Sequence, residues 1–229
     1  MPIEEGDILK FLPITKDDRI SKMAYENWTA LMEQDMKTRT GLCQDGIPIE
    51  PSYLLESGKI PELVSLIHAS KSKDEEGGEG DDDEDGDNKY DLRISGLLML
   101  SKCPIMKSVR AYLSVHPGSR QDGVGTKLLA SAVYWAFLTR PITYFEVVVA
   151  LPNVAGNKVC SKFMNKLCIK PYDWVWYGAL APSVTYVLTN DDLLYDKYSV
   201  IHDLIKESDI HGLDLLSYEE FAATRGAEK

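Results

Sequence analysis

The chain has no C-x-x-C pair. Its four cysteines stand at 43, 103, 160 and 168, and the four histidines, at 68, 116, 202 and 211, do not cluster with them. A structural zinc site is therefore not expected, and no metal is assigned. There is no apolar run near the ~18–20 residues of a membrane helix, and the start, Met1-Pro2-Ile3-Glu4-Glu5-Gly6-Asp7, lacks the apolar core of a signal peptide. Free thiols without an export signal suggest the reducing interior, cytoplasm or nucleus. There is no internal repeat. There is also no basic excess: the net charge is −11, and ten of the acids fall in 74–87, DEEGGEGDDDEDGD, without which the chain carries −1. A near-neutral body argues against a nucleic-acid surface. The acidic run reads as a solvated loop, or as a local trap for a cationic partner.

What is present is an ordinary globular composition, 44% hydrophobic and 27% charged over 229 residues, enough for one large domain with its own core. Residues 7–12 read as a strand ended by Pro13, and 17–37 as an amphipathic helix. Residues 38–60 are irregular, with a helical turn near 51–57. Residues 61–71 and 91–102 read as strands flanking a long acidic loop, 73–89. Such a loop costs little, because closure entropy grows only logarithmically with length. A strand at 108–116, a helix over 123–139, a strand apolar on both faces at 143–151 and a helix over 154–167 follow. The strands 173–180 and 183–189 close the sheet, and the chain ends in helices at 191–207 and 217–225, the last with a capping box between Ser217 and Glu220. An antiparallel meander feeding a β-α-β-α unit is an α+β layered sheet. The domain is expected over 1–190, with 191–229 a C-terminal helical extension.

The chemistry is concentrated in Val115-His116-Pro117-Gly118-Ser119-Arg120-Gln121-Asp122-Gly123-Val124-Gly125-Thr126-Lys127-Leu128-Leu129. This is a strand, a turn and an Arg-x-x-Gly-x-Gly opening an apolar helix. The first N–H groups of a helix have no internal partner and stand at the positive end of its dipole. Glycines allow close approach and Arg120 adds a charge, so a pyrophosphate fits. A P-loop is excluded because Val124-Gly125 occupy its Lys-Ser positions. A dinucleotide fingerprint is excluded by Leu128 where it needs a third glycine.

These residues resemble the GCN5-related N-acetyltransferase superfamily. Pro117 through Leu129 is similar to that family's pyrophosphate loop, with Arg120, Gly123 and Gly125 on its Q/R-x-x-G-x-G/A pattern. Asn157 through Pro171 is similar to its second cofactor motif, N-x-x-A-x-x-L-Y-x-K-L-G-F-x-P, and Gly96 stands where members often keep a glycine. The resemblance spans roughly residues 7–190. It implies a mixed sheet with helices on both faces, and acyl transfer from acetyl-CoA to an amine by direct attack. It further implies that the fourth and fifth strands splay apart to admit pantetheine. Leu113, Ser114 and Val115 would then pair with the pantetheine and polarise the thioester carbonyl. Arg120, Gln121, Asp122, Gly123, Val124, Gly125 and Thr126 would hold the pyrophosphate, and Asn157 would contact the cofactor.

Two departures stand out. The family's tyrosine, which protonates the leaving thiolate, falls on Met164. A register anchored on Asn153 puts Cys160 there instead, so Cys160 or water would serve. Asp122 places a negative charge beside the phosphate loop. For a base, Glu146 is the lone charge in an apolar strand, with His116 the second candidate. The acidic loop leans toward a cationic acceptor, a polyamine or a lysine-containing peptide. The alternative is a catalytically silent CoA-binding or interaction protein on the same fold.

Overall fold

The computed structural model describes residues 8–14, 43–44, 47–48, 62–71, 90–103, 107–120, 122–176 and 179–226. The helix expected over 17–37, the turn near 51–57, the acidic loop 73–89 and Gln121 lie outside these residues. Cys43–Gln44 and Ile47–Pro48 form a two-residue ladder of their own.

Strands β1 (Ile8–Ile14), β2 (Glu62–Lys71), β3 (Tyr90–Cys103) and β4 (Ser108–Val115) form the antiparallel meander expected from their alternation. Helix α1 (Val124–Thr139) crosses to β5 (Tyr144–Ala150), which lies parallel to β4. Helix α2 (Val154–Cys160) leads to the hairpin of β6 (Asn165–Trp176) and β7 (Ala179–Thr189). Then come a short helical turn (Asn190–Asp192), a π-helical turn (Leu193–Lys197), α3 (Tyr198–Lys206), a two-residue strand β8 (Ile210–His211) and α4 (Tyr218–Gly226). The eight strands run β8-β1-β2-β3-β4-β5-β7-β6 in one mixed sheet. This is the α+β class expected from the sequence.

Three expectations need correction. β1 runs through Pro13 to Ile14. Among the described residues no outer neighbour pairs with it beyond Lys10, and an edge tolerates a residue without an N–H. The helix expected to 167 stops at Cys160, because Phe163 and Met164 turn into the core and Asn165 onward pairs with β7. The closing pair accordingly runs from Asn165 to Trp176 and from Ala179 to Thr189, rather than over 173–180 and 183–189, and Pro182 lies within β7.

The core fills the face of the sheet that carries α1 and α2. Leu9, Phe11, Val64, Leu66, Leu98, Ala111, Phe145, Val147, Val184 and Leu188 point to that face and are buried against Leu128, Leu129, Val133 and Phe137 of α1. Twelve residues of α1 are buried, which is why its apolar pattern is nearly continuous. Gly96 permits this packing: a Cβ there would stand 2.9 Å from Leu128 Cδ2 and 3.3 Å from Val124 Cγ1.

The segment after Asn190 belongs to the same core. Leu193, Tyr198, Ile201, Ile205 and Phe221 pack on α1. Tyr134 Oη donates to the carbonyl of Asp214 and accepts from the N–H of Leu216. The Arg225 guanidinium donates to the carbonyls of Phe137, Arg140 and Ile142 and to Asn190 Oδ1. The capping box is formed: Ser217 N–H donates to Glu220 Oε2 at 2.8 Å, and Glu220 N–H to Ser217 Oγ at 3.3 Å.

Candidate functional site

β4 and β5 pair in parallel from Ser108↔Tyr144 to Ala111↔Val147 and no further. Among the described residues β4 continues to Val115 with only β3 as a strand partner, and β5 continues to Ala150 with only β7. The sheet is thus forked, with Tyr112–Val115 on one arm and Val148–Ala150 on the other. The cause is local. Beyond the fork β4 runs straight into the turn before α1, while the end of β5 is drawn to α2 by Asn157. The backbone of Leu113, Ser114 and Val115, the segment singled out in the sequence, is the β4 arm.

The β4 arm leads to the start of α1. His116 shapes the turn: its N–H donates to Ser95 O, its Nδ1 accepts from Gly118 N–H, and its carbonyl accepts from Ser119 N–H. His116 is a turn former, with one ring nitrogen already occupied. Gly123 precedes α1 with φ 74° and ψ 1°, a left-handed conformation that costs any other L-residue about 1 kcal/mol. No side chain caps the helix, and its first turn carries no acid. Thr126 N–H turns back to the Gly123 carbonyl at 2.9 Å, and the N–H groups of Val124 and Gly125 before it are the ones that point toward an anion. The outer side of Gly123 is open, the nearest atom to a built Cβ being Lys127 Cε at 3.9 Å. Gly125 has a different task. It is buried, facing Val115, Leu113 and Val159, and seats α1 on the β4 arm and α2. Thr126 is buried as well, while Arg120 is exposed with Nε 3.3 Å from the Val115 carbonyl. Asp122 is partly exposed on the turn.

One cation at this point was not found in the sequence. Lys162 Nζ lies 3.1 Å from Thr126 Oγ1 in the first turn of α1. A helix running to 167 gives no hint of it. The turn after Cys160 delivers it.

Asn157 anchors the other arm. Its Nδ2 donates to the carbonyls of Ala150, Leu151 and Asn153, and its Oδ1 accepts from Tyr186 Oη at 3.0 Å. The side-chain amide is thus engaged within the protein, holding the end of β5 to α2. Cys160 is almost fully buried, and loss of solvent pushes its thiol up to about 12. Met164, at the position of the family's tyrosine, is buried in the core.

The sheet face away from α1 carries a polar strip beside the fork, comprising Arg110, Tyr112 and Ser114 on β4, Glu146 on β5, and Ser183 and Thr185 on β7. Arg110 Nε and Nη2 both contact Glu146 Oε1, at 2.9 and 2.7 Å. No described residue bonds Oε2. Desolvation pulls the Arg110 pKa down, but the Glu146 charge and hydrogen bonds with Tyr112 and Glu146 outweigh it, so the guanidinium is held more firmly protonated than usual. Thr185 Oγ1 is buried without a hydrogen-bond partner. Among the described residues no group of three His, Cys, Asp or Glu side chains could hold a metal ion, and no helix is long and apolar enough to cross a membrane.

No protein-family model matches the sequence, and no curated protein matches it significantly. Solved structures do match. A protein of Acinetobacter baylyi assigned as an acetyltransferase superposes with a TM-score of 0.58 at 13% identity, over 82% of this chain and 95% of that one. The spermidine/spermine N-acetyltransferase SpeG of Vibrio cholerae gives 0.56 at 12% identity, over 81% and 97%. The ribosomal L7/L12 alpha-N-protein acetyltransferase RimL, in complex with coenzyme A, gives 0.55 at 12% identity, over 83% and 98%. With the forked sheet and the glycine-led helix beside it, this likeness in architecture gives the chain the fold of these acetyltransferase structures, a mixed α+β sheet of the kind the sequence resemblance implies.

Proposed function

We propose that this protein is an acyl-CoA-dependent N-acyltransferase, with acetyl-CoA as donor and an amine as acceptor. The observation that carries the reading is the continuity of the fork with the start of α1. A slot between two strands that have stopped pairing opens beside a helix terminus with no described side-chain cap, no acid in its first turn and two cations against the one carboxylate of Asp122. An acylated, pyrophosphate-bearing carrier fits both parts. The solved structures of this fold include one described with acetyl-CoA and one with coenzyme A. SpeG is named for spermidine and spermine and RimL for the alpha-N of a ribosomal protein, and both kinds of acceptor present an amine.

In this reading the leading N–H groups of α1, the backbone of Asp122–Thr126 and Arg120 hold the pyrophosphate. The backbone of Leu113–Val115 pairs with the pantetheine and polarises the thioester carbonyl. Gln121 belongs to the same loop by sequence. Asn157 acts through the backbone it fixes rather than through a free amide. When bound, acetyl-CoA supplies an activated acyl carbon whose bond to sulfur is exchanged for one to nitrogen. The amine approaches from the polar strip. Glu146 Oε2 accepts its proton, directly or through water, while Arg110 holds Oε1 and keeps the carboxylate aimed. Cys160 is a poor donor to the leaving thiolate. Moving a proton from a group near 12 to an ordinary thiolate near 8.5 is uphill by about 5 kcal/mol, so the thiolate leaves unprotonated and takes its proton from bulk solvent after release. A cationic acceptor, a polyamine or lysine-containing peptide, in the cytoplasm or nucleus completes the proposal.

Met164 and the buried Cys160 favour a second reading, a CoA-binding protein without transferase activity. Calorimetric titration with acetyl-CoA, followed by an amine panel, separates the two. Binding with turnover supports transfer, and binding without turnover over a broad panel supports the second reading. No binding by folded protein overturns both.

A further inference from the structure

We propose that Lys162 is a pyrophosphate-binding residue, positioned by Thr126 to face the same anion as Arg120. The inference rests on the acyl-CoA reading above and adds a residue to that site. Cys160 ends α2, and its carbonyl accepts from Phe163 and Met164 N–H. Cys160 before the step and Phe163 and Met164 after it are buried, at 2%, 1% and 5% exposure, and so anchor both sides of the exposed two-residue step Ser161–Lys162. Lys162 is left exposed at that step, with its ammonium carried across to α1. Thr126 Oγ1 accepts one of its three protons, leaving two for a ligand.

The sign of the local field makes this placement informative. The start of a helix is its positive end, where a cation is disfavoured by several tenths of a kcal/mol and an anion is favoured. Here the first turn of α1 carries no acid, and among the described residues no carboxylate pairs with Lys162. Two cations from separate segments, Arg120 before α1 and Lys162 after α2, nevertheless stand at that end. A bound pyrophosphate reverses the sign for both. It also accounts for the Thr126 hydroxyl, which is buried and whose lone pair holds the ammonium in place.

The test is calorimetric titration of the full chain with acetyl-CoA and with its dephospho form, which keeps the pyrophosphate and lacks the 3′-phosphate. Lys162→Met should weaken both ligands alike, by about 10-fold to 100-fold, and should flatten the salt dependence of binding. Lys162→Arg should restore most of the affinity. Thr126→Val, which removes only the tether, should fall between wild type and Lys162→Met. Lys206→Met, at the end of α3, controls for net charge, and thermal melts show that each variant is folded. Equal affinity of folded Lys162→Met and wild type overturns the proposal while leaving the acyltransferase reading intact. A loss confined to acetyl-CoA overturns it too, because it would assign Lys162 to the 3′-phosphate. Failure of wild type itself to bind would overturn the acyltransferase reading and this proposal together.

Discussion

Arg110 and Glu146 stand opposite each other one rung before β4 and β5 cease to pair, joined through a single carboxylate oxygen. Their ion pair closes the base of the fork, so the two residues need not contribute equally to function and stability. Arg110→Met should destabilise the protein by about 1–2 kcal/mol in urea unfolding. That is less than for a fully buried pair, because the Arg110 side chain is 43% exposed. Glu146→Gln should cost less stability, yet should lower kcat by about 100-fold or more with acetyl-CoA affinity unchanged. An unaltered kcat would remove Glu146 from the proton path.

Burial raises the Cys160 thiol from 9.0 to about 12. A group held protonated in the folded state stabilises fully below its unfolded pKa, and that contribution is lost as pH rises toward the folded value. Between pH 9 and about 12 the stability of wild type should therefore fall by up to about 1.4 kcal/mol per pH unit from this thiol alone. Cys160→Ala should flatten the slope while lowering the plateau. Below pH 9 the native thiol should resist alkylation and react on unfolding, which a timed thiol titration reads directly.

Gly96 and Gly123 should respond differently to alanine. At Gly96 a methyl meets Leu128 in a fully buried contact, an overpacking that should cost about 1–3 kcal/mol of stability. At Gly123 the methyl has space but not the backbone, so Gly123→Ala should cost about 1 kcal/mol and weaken acetyl-CoA binding further. Chemical denaturation and titration of the same two variants separate the effects.

Removing Arg225 should be as damaging as a core substitution. Its guanidinium satisfies three carbonyls at the end of α1 and the Asn190 side chain. Arg225→Met leaves these groups without it and should lower stability by about 3 kcal/mol. Hydrogen exchange should show the loosening first in α4 and at the last turn of α1.

The parts of the fold read correctly from sequence are those in which local pattern and tertiary environment agree. The continuous apolar face of Leu128–Phe137 marks a buried helix, the double-faced strand at 143–151 marks the covered centre of the sheet, and Ser217 with Glu220 marks a cap. The misread parts are those where a distant partner overrides the pattern. Residues 161–167 have helical spacing, but β7 offers them a ladder, so the turn at Phe163 and the edge strand win. Pro13 reads as a stop, because the local pattern does not show that among the described residues it pairs on one side only, with Val64 of β2. Arg120, Gly123 and Gly125 are contiguous and hence legible. Lys162 reaches the same point only through the premature end of α2, and Ile210–His211 joins the sheet with a signal too short to read.

The pairing of β8 with β1 bears on how the chain is made. Leu9 and Lys10, synthesised early, lie beside Ile210 and His211, synthesised late, and Arg225 fastens the same late segment to α1. During translation the outer border of β1 and the exposed side of Tyr134 must wait, and such non-local closure is slow. A ribosome-bound nascent chain of this protein would therefore present an unfinished sheet border and an uncovered helix, the kind of surface that chaperones shield. Closure of this border should wait until Ile210–Arg225 have been made, rather than keep pace with synthesis of the earlier strands.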